Sequence, residues 1–232
     1  AAALTAREAA SVVVPLDAEP HPEGGCFHRG LAWVADTKLG AGGSPHRGGA
    51  RSGYEEHGHH AAFRMSAFRA LGGYDESFVA NEDAEYDRRL IASGERIWLD
   101  ADIRKVYFPR RTPRGLWRQY HRYGIGRART CFKHGVRPAP RQMIPVAHVG
   151  LLTASALALP FGGWAAALGL AWPAAYLALI VGAGGAIAVE KRSACGLQAS
   201  LALAVMHLSW GLGFLRQCAR ELAGGRAGAE AG

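Results

Sequence analysis

The chain has 232 residues, which is enough for one domain with an attached membrane region. Its formal net charge of +8 is unevenly placed: residues 1–103 carry 10 Lys and Arg against 16 Asp and Glu, whereas residues 104–141 carry 12 Lys and Arg and no acid. Because this cationic block directly precedes an uncharged apolar region, it is typical of a membrane-proximal segment. We therefore expect membrane lipids as partners and no nucleic acid.

The N-terminal residues predict the start of an α/β domain. Residues 1–10 have the pattern of a helix end, and Ser11–Val14 is an apolar run closed by Pro15, which predicts a buried strand. Gly, Pro, His and Arg dominate residues 19–53, where we expect a helix at 31–39 followed by a long loop. The chain starts without Met and without the features of a signal peptide, so we expect it to be N-terminally truncated.

The four cysteines do not form a recognisable binding or cross-linking pattern. Cys26, Cys131, Cys195 and Cys218 are scattered, without Cys-x-x-Cys spacing. They predict neither a zinc site nor a disulfide framework, and we expect free thiols.

Residues 58–99 contain the most informative pattern. We expect a strand at 60–63, a short helix at 66–71 that ends at Gly72, a helix at 82–93 that ends before Gly94, and a strand at 96–99. Asp83 lies in the first turn of the 82–93 helix, where the helix dipole and free amides keep a carboxylate ionised. Its two alternative roles are a reactive carboxylate and a plain helix cap.

The order Gly58-His59-His60-Ala61-Ala62-Phe63-Arg64, Gly72-Gly73-Tyr74, Asn81-Glu82-Asp83 resembles the acceptor side of inverting family 2 glycosyltransferases of the GT-A type. The similarity is greatest to the succinoglycan and exopolysaccharide biosynthesis type, which extends a lipid-linked oligosaccharide. The resemblance implies that Asp83 is the catalytic base, with Glu82 as its partner. Inverting transfer requires one carboxylate to accept the proton of the attacking hydroxyl.

The two adjacent histidines and a nearby arginine are predicted to contact the acceptor or a diphosphate. Adjacent side chains on a strand point to opposite faces, so we expect one of His59 and His60 to face the pocket and the other to be structural. Arg64 completes this predicted set.

The cationic block predicts a basic helix at 113–132, interrupted by Gly124 and Gly126. Within it, Gln119-Tyr120-His121-Arg122-Tyr123 resembles the Gln-x-x-Arg-Trp motif of membrane glycosyltransferases, with Tyr in place of Trp. The resemblance implies that Gln119, Arg122, Tyr123 and Arg127 bind the acceptor or the donor diphosphate. An arginine can hold a phosphate through two parallel hydrogen bonds. Most other basic residues of the block are expected to dock on anionic lipid.

Residues 143–189 contain no Lys, Arg, Asp or Glu, and they accommodate two membrane spans, at 144–161 and 164–189. Leu197–Leu215 is a third candidate, either a span or a helix in the interface. Two spans return Lys191 to the side of the cationic block, which satisfies the positive-inside rule, whereas a third leaves Arg216 on the opposite side. Both topologies stay open.

These patterns predict an α/β fold, the acceptor-side half of a GT-A Rossmann-like domain followed by C-terminal transmembrane helices. The predicted segments are a partial glycosyltransferase domain at 1–103, a basic interfacial segment at 104–142, a membrane region of two or three helices at 143–216 and a flexible tail at 217–232. The resemblance implies a bacterial inner membrane protein whose catalytic part faces the cytoplasm.

The resemblance also implies a nucleotide-sugar donor, a lipid-linked saccharide acceptor, and Mg²⁺ or Mn²⁺ held by an Asp-x-Asp motif in the full-length enzyme. In the family this motif precedes the Glu-Asp pair, whereas Asp100-Ala101-Asp102 follows it here. Asp100 and Asp102 are therefore not predicted to bind metal, and no metal ligand is expected in this chain. The alternative is a non-catalytic, membrane-anchored fragment or interaction subunit that retains the fold.

Overall fold

A computed structural model describes residues 2–44, 47 and 51–229. The helices are α1 (Ala2–Ala6), α2 (Cys26–Ala35), α3 (Lys38–Ala41), α4 (Met65–Ala70), α5 (Glu82–Ala92), α6 (Pro113–His134), α7 (Pro140–Ala158), α8 (Gly163–Glu190) and α9 (Gln198–Ala229). The strands are β1 (Ser11–Val14), β2 (Leu16–Ala18), β3 (Gly53–Glu55), β4 (His59–Phe63), β5 (Ile97–Leu99) and β6 (Lys105–Tyr107). Short 3₁₀ turns at Leu159–Phe161 and Ala194–Leu197 join the last three helices.

The N-terminal part is built around a four-stranded sheet in the order β3-β5-β1-β4. The central strand β1 is buried along its whole length and pairs parallel with β5 and antiparallel with β4. Beyond Pro15 the chain continues as β2, which pairs with β6 in a separate two-stranded sheet. The predicted α/β class is confirmed, while the GT-A assignment stays a prediction.

Several predicted elements differ from the structure at their boundaries. The helix expected at 31–39 begins earlier, at Cys26, and ends at Ala35. The region expected to be a long loop contains α3 and β3, and part of that loop, residues 45–46 and 48–50, lies outside the described residues. The tail expected to be flexible from 217 is helical as far as Ala229.

The basic helix α6 is continuous, so the predicted interruption at its two glycines is wrong. These positions are buried because other chain segments press against them. A Cβ at Gly124 would overlap the carbonyl oxygen of Trp210 and lie 2.7 Å from the backbone nitrogen of Phe214 in α9. A Cβ at Gly126 would overlap the carbonyl oxygen of Ala80. Tight packing, rather than a break in the helix, accounts for the glycines.

Within the described residues, three segments are long and apolar enough to cross a membrane, namely 140–161, 163–190 and 194–224. They differ in their packing. Helices α7 and α8 form an antiparallel hairpin whose tip exposes Phe161 and Trp164, and little of either apolar window is buried inside the protein. Half of the apolar window of the third segment is buried. These helices indicate a membrane protein.

Helix α9 packs against helices from the N-terminal, middle and C-terminal parts of the chain. A core cluster joins α2, the start of α6, the second half of α8 and the first half of α9; its buried members are Leu31, Val34, Leu116, Ile180, Ile187, Ala199, Ala202, Leu203 and Met206. Helices α6 and α9 run in the same direction, since Leu116 clusters with Leu203 whereas Gly124 contacts Trp210. The cluster therefore draws on three of the four predicted segments.

A disulfide joins Cys26 to Cys195, so the expectation of free thiols is wrong for this pair. The two residues are 169 positions apart in sequence, but α2 packs against the start of α9 and brings their Cα atoms to 4.7 Å. Cys131 and Cys218 are free, as expected.

Candidate functional site

The Glu82-Asp83 pair forms the first turn of α5, as expected, and a left-handed residue positions it. Asn81 has φ of +64°, a conformation that asparagine tolerates better than most residues. Its side-chain Nδ2 donates to the carbonyl oxygen of Tyr123 at 3.1 Å, which ties the start of α5 to the middle of α6. Asp83 is half-buried, and its Oδ1 accepts from the backbone N–H of Ala84 at 2.7 Å.

The two adjacent histidines of β4 have different surroundings. His60 is held by two partners: its Nε2 lies 3.0 Å from Oδ1 of Asp87, and its Nδ1 lies 2.8 Å from the hydroxyl oxygen of Ser11. Burial and, after it, the cation of Arg47 lower the pKa of His59 to about 4, although the carboxylate of Asp83 opposes the shift. His59 is therefore a neutral imidazole at pH 7 in the electrostatic field of Asp83.

Asp87 supports the site and was missed in the sequence. Its side chain is buried and also binds His57, with Oδ2 at 2.6 Å from Nδ1. Burial raises the pKa of Asp87, but the bonds from His57 and His60 outweigh it and hold the pKa below its usual value. The available signal was the spacing, because residues four apart share a face of a helix and Asp87 follows Asp83 by four.

An aromatic group lies beside these carboxylates. The glycine turn at Gly72 and Gly73, with φ of +75° and +70°, brings Tyr74 against Tyr86, and the ring centroids are 5.6 Å apart. Burial and the nearby charges of Asp83 and Asp87 raise the pKa of Tyr74 to about 12, so its hydroxyl stays protonated. The arrangement gives Asp83 a half-buried setting with a neutral histidine and a neutral tyrosine nearby.

The Gln-x-x-Arg-Tyr motif is divided between internal and exposed roles. Gln119 donates to the hydroxyl oxygens of Tyr123 at 2.7 Å and of Tyr107 at 3.1 Å, and its Oε1 accepts from Arg110 at 3.3 Å. Burial raises the pKa of Tyr123. Gln119 and Tyr123 thus brace α6 internally, whereas Arg122 is exposed.

The two arginines predicted to act together line separate clefts. Arg127 lines a cleft of about 260 Å³ with His57, Ala84 and Arg88, next to the start of α5. Burial lowers the pKa of Arg127, and the carboxylate of Asp83 is among the charges that oppose this shift. Arg122 lines a second cleft of about 510 Å³, between α6 and α9. Arg122 and Arg127 are five positions apart on α6, which corresponds to a net rotation of about 140° around the helix axis. Their side chains therefore point to different sides of the helix.

The structure places Arg64 apart from this group, and its role in acceptor binding stays a prediction. Its guanidinium binds the carboxylate of Glu95 at 3.3 Å and the carbonyl oxygen of Ala9 at 3.1 Å. Arg64 follows the C-terminal end of β4, whereas His59 begins that strand, and five strand residues span about 16 Å. Arg64 therefore links the end of β4 to the residues that precede β1 and β5.

In the described part of the chain, no three His, Cys, Asp or Glu side chains are grouped so that they could hold a metal ion. The Asp100-Ala101-Asp102 segment forms a turn, in which Oδ1 of Asp100 accepts from the backbone N–H of Asp102 at 3.2 Å. Glu82 is half-buried beside Asp83, and its charge contributes to the raised pKa of Tyr74.

A comparison with curated proteins gives a substantial match. The chain is 44% identical over 198 residues to the succinoglycan biosynthesis protein ExoA of Rhizobium meliloti (strain 1021), and the match covers 82% of this chain. The chain spans about half of that relative, 56% of its length. No protein-family model matches the chain, and no solved structure gives a significant match.

Proposed function

We propose that this chain is the acceptor-side and membrane part of an inverting glycosyltransferase in exopolysaccharide biosynthesis. The observation that carries the proposal is the placement of Asp83, half-buried in the first turn of α5, where its charge acts on both His59 and Arg127. The similarity to a succinoglycan biosynthesis protein supports the same class of reaction. The family 2 membership and GT-A type implied by the motifs are part of the proposal.

In the proposed reaction, Asp83 accepts the proton of the acceptor hydroxyl while that oxygen attacks the sugar of a nucleotide-sugar. The first turn of a helix is a favourable position for a negative charge, and Arg127 is a cation on which the charge of Asp83 acts. His59, neutral at pH 7, can exchange a hydrogen bond with the acceptor without competing for its proton. Asp87 holds His60, and Asn81 holds the start of α5, so these two are positioning residues.

The donor and the metal are not assigned to residues of this chain. The described side chains offer no cluster suited to Mg²⁺ or Mn²⁺, and the carboxylate of Asp100 accepts a turn bond from the backbone N–H of Asp102. We propose that the complete protein uses such a metal on the donor diphosphate, with ligands outside the described residues.

We further propose that the α7–α8 hairpin crosses the membrane and that α9 does not. Ile180 is the first α8 residue among the buried members of the core cluster. The part of α8 before it has 17 residues and a length of about 26 Å, which is close to the hydrocarbon thickness of about 30 Å. Helix α9 is instead half buried by α2 and by the basic helix α6, and a spanning α9 would carry the arginines of α6 into lipid. Both ends of the hairpin then lie on the cytoplasmic side of the inner membrane.

A reporter fused after residue 232 tests this topology. With two spans, the reporter lies on the same side as the cationic block at 104–141; with three spans it lies on the opposite side. A reporter on the opposite side would refute the two-span arrangement.

The catalytic proposal is tested with the full-length protein in membranes, a panel of radiolabelled nucleotide-sugars and lipid extract as acceptor. Asp83→Asn should lower transfer by about 10²–10⁴-fold, the usual contribution of a general base. Asp102→Asn is the matched control, since it removes an exposed turn carboxylate and should leave transfer unchanged. Retained turnover in Asp83→Asn would exclude Asp83 as the base, and no transfer by the unmodified full-length protein would favour a non-catalytic subunit.

A further inference from the structure

The larger cleft lies on the side of α6 away from Arg127, and its lining is strongly cationic. Its walls are the 78–80 segment, α6 and the C-terminal part of α9, and its volume is about 510 Å³. Four arginines line it, Arg122 and Arg129 from α6 and Arg216 and Arg220 from α9, against the single acid Glu221. A site of this charge recognises an anion.

Two of the four arginines are available for a ligand. Arg129 donates to the carbonyl oxygen of Ser77 at 2.6 Å, and Arg216 lies 3.3 Å from a nitrogen of His121. Arg122 and Arg220 are exposed and, among the described residues, have no hydrogen bond or ion pair. Glu221, the acid of the lining, has no ion pair among the described residues; its Oε1 accepts a hydrogen bond from Nε2 of Gln217 at 2.7 Å.

The cleft also has an apolar part. Phe78, Val79 and Ile125 line it, and the side chain of Val79 is 78% exposed. On α9, the exposed Leu212 lies one turn before Arg216, and the exposed Leu215 directly precedes Arg216. A ligand that fits both features has a phosphate-type head and a hydrocarbon chain.

We infer that this cleft binds the phosphate or diphosphate head of a lipid that carries the acceptor saccharide, an assignment that rests on the proposed function. Arg122 and Arg220 hold the phosphate oxygens, and the apolar side takes the first part of the lipid chain. A short segment, residues 80–83, connects the cleft to the carboxylate of Asp83. Ala80 lines the cleft and lies three residues before Asp83, so their Cα atoms are at most about 11 Å apart.

The test measures binding to the full-length protein in phosphatidylcholine nanodiscs, with three probes. Farnesyl diphosphate represents a lipid diphosphate, inorganic diphosphate represents the head alone, and phosphatidylglycerol represents a general anionic lipid. We expect farnesyl diphosphate to bind at least tenfold more tightly than inorganic diphosphate. Arg122→Gln and Arg220→Gln should each weaken its binding about tenfold, the effect of losing one charged hydrogen bond.

The matched control is Arg114→Gln, which removes an exposed cation two turns earlier on α6, outside the cleft, and should leave binding unchanged. Equal binding of inorganic diphosphate would overturn the lipid assignment in favour of a free phosphate compound. Equal loss in Arg114→Gln, or equal binding of phosphatidylglycerol, would reduce the cleft to general membrane docking.

The experiments distinguish failure of the lipid phosphate site from failure of Asp83 as the catalytic base. Asp83→Asn should bind farnesyl diphosphate normally while it fails to transfer sugar, and this result supports both. Normal binding by the cleft variants would overturn the lipid site and leave Asp83 as the base. Arginine-dependent binding without any transfer by the unmodified protein would support the lipid site and favour the non-catalytic subunit.

Discussion

Replacing Gly124 by alanine should loosen the contact between α6 and α9. The added Cβ would overlap the carbonyl oxygen of Trp210 and lie 2.7 Å from the nitrogen of Phe214. Both are backbone atoms, which cannot rotate away as a side chain would, so the two helices must separate. Overpacking of this kind costs about 2–3 kcal/mol, at the upper end of the usual range.

Alanine also favours a helix by about 1 kcal/mol relative to glycine, which partly hides this cost. Gly182→Ala in α8 corrects for that effect, because no heavy atom lies within 4 Å of the added Cβ there. The difference between the two variants then isolates the overpacking. At roughly 2–4 °C for each kcal/mol, it amounts to about 4–12 °C in the thermal midpoint.

The assay is thermal unfolding of the full-length protein in detergent, followed by tryptophan fluorescence at one fixed scan rate. We expect Gly124→Ala to melt at least 4 °C below Gly182→Ala. Equal midpoints would show that α6 and α9 are not in backbone contact, and the cleft between them would then lack its two walls.

Three further predictions concern the site and its support. Asn81→Leu places a bulky residue at positive φ and removes the hydrogen bond to Tyr123, whereas Asn81→Gly removes only the hydrogen bond. Sugar transfer should therefore fall more in Asn81→Leu than in Asn81→Gly, and equal rates would exclude backbone strain as a cause. The pKa of His59 in the folded protein, about 4, lies below its unfolded value near 6.5, so protonation of His59 favours unfolding. The free energy of unfolding should therefore fall by up to about 3 kcal/mol as the pH drops from 6.5 to about 4. Denaturant titrations across that range should give a flatter profile for His59→Gln, and an unchanged profile would place the acid sensitivity elsewhere. Reduction of the Cys26–Cys195 bond should destabilise the protein by about 2–5 kcal/mol, measured as the denaturation midpoint with and without reductant; Cys26→Ser should abolish this response.

The start of α5 could be predicted from the sequence because its signals are local. Acidic residues in a first turn and a glycine after the last turn mark the two ends of a helix, and the observed Glu82–Ala92 differs from the expected range by one residue. The strand at β4 and the apolar hairpin could be found for the same reason. Each depends on the residues of one short segment.

The features that could not be predicted depend on contacts between distant segments. Glycine lowers helix propensity, so Gly124 suggested an interruption, but the close approach of α9 requires it inside a continuous helix. The bond between Cys26 and Cys195 requires the packing of α2 on α9, and the pairing of Arg64 with Glu95 requires the position of the sheet. No spacing in the sequence carries that information.

The glycine contacts of α6 also limit how its length can change. Gly124 locks the helix against α9, and Gly126 locks it against Ala80, while Arg122 and Arg127 point into two clefts on either side of these contacts. One inserted residue between the contacts would turn everything after it by about 100° and advance it by about 1.5 Å. Arg127 would then turn out of the cleft next to the start of α5, although every residue of the site was still present. The spacing along α6 is therefore as much a part of the site as its side chains, and length variation should be confined to the loops.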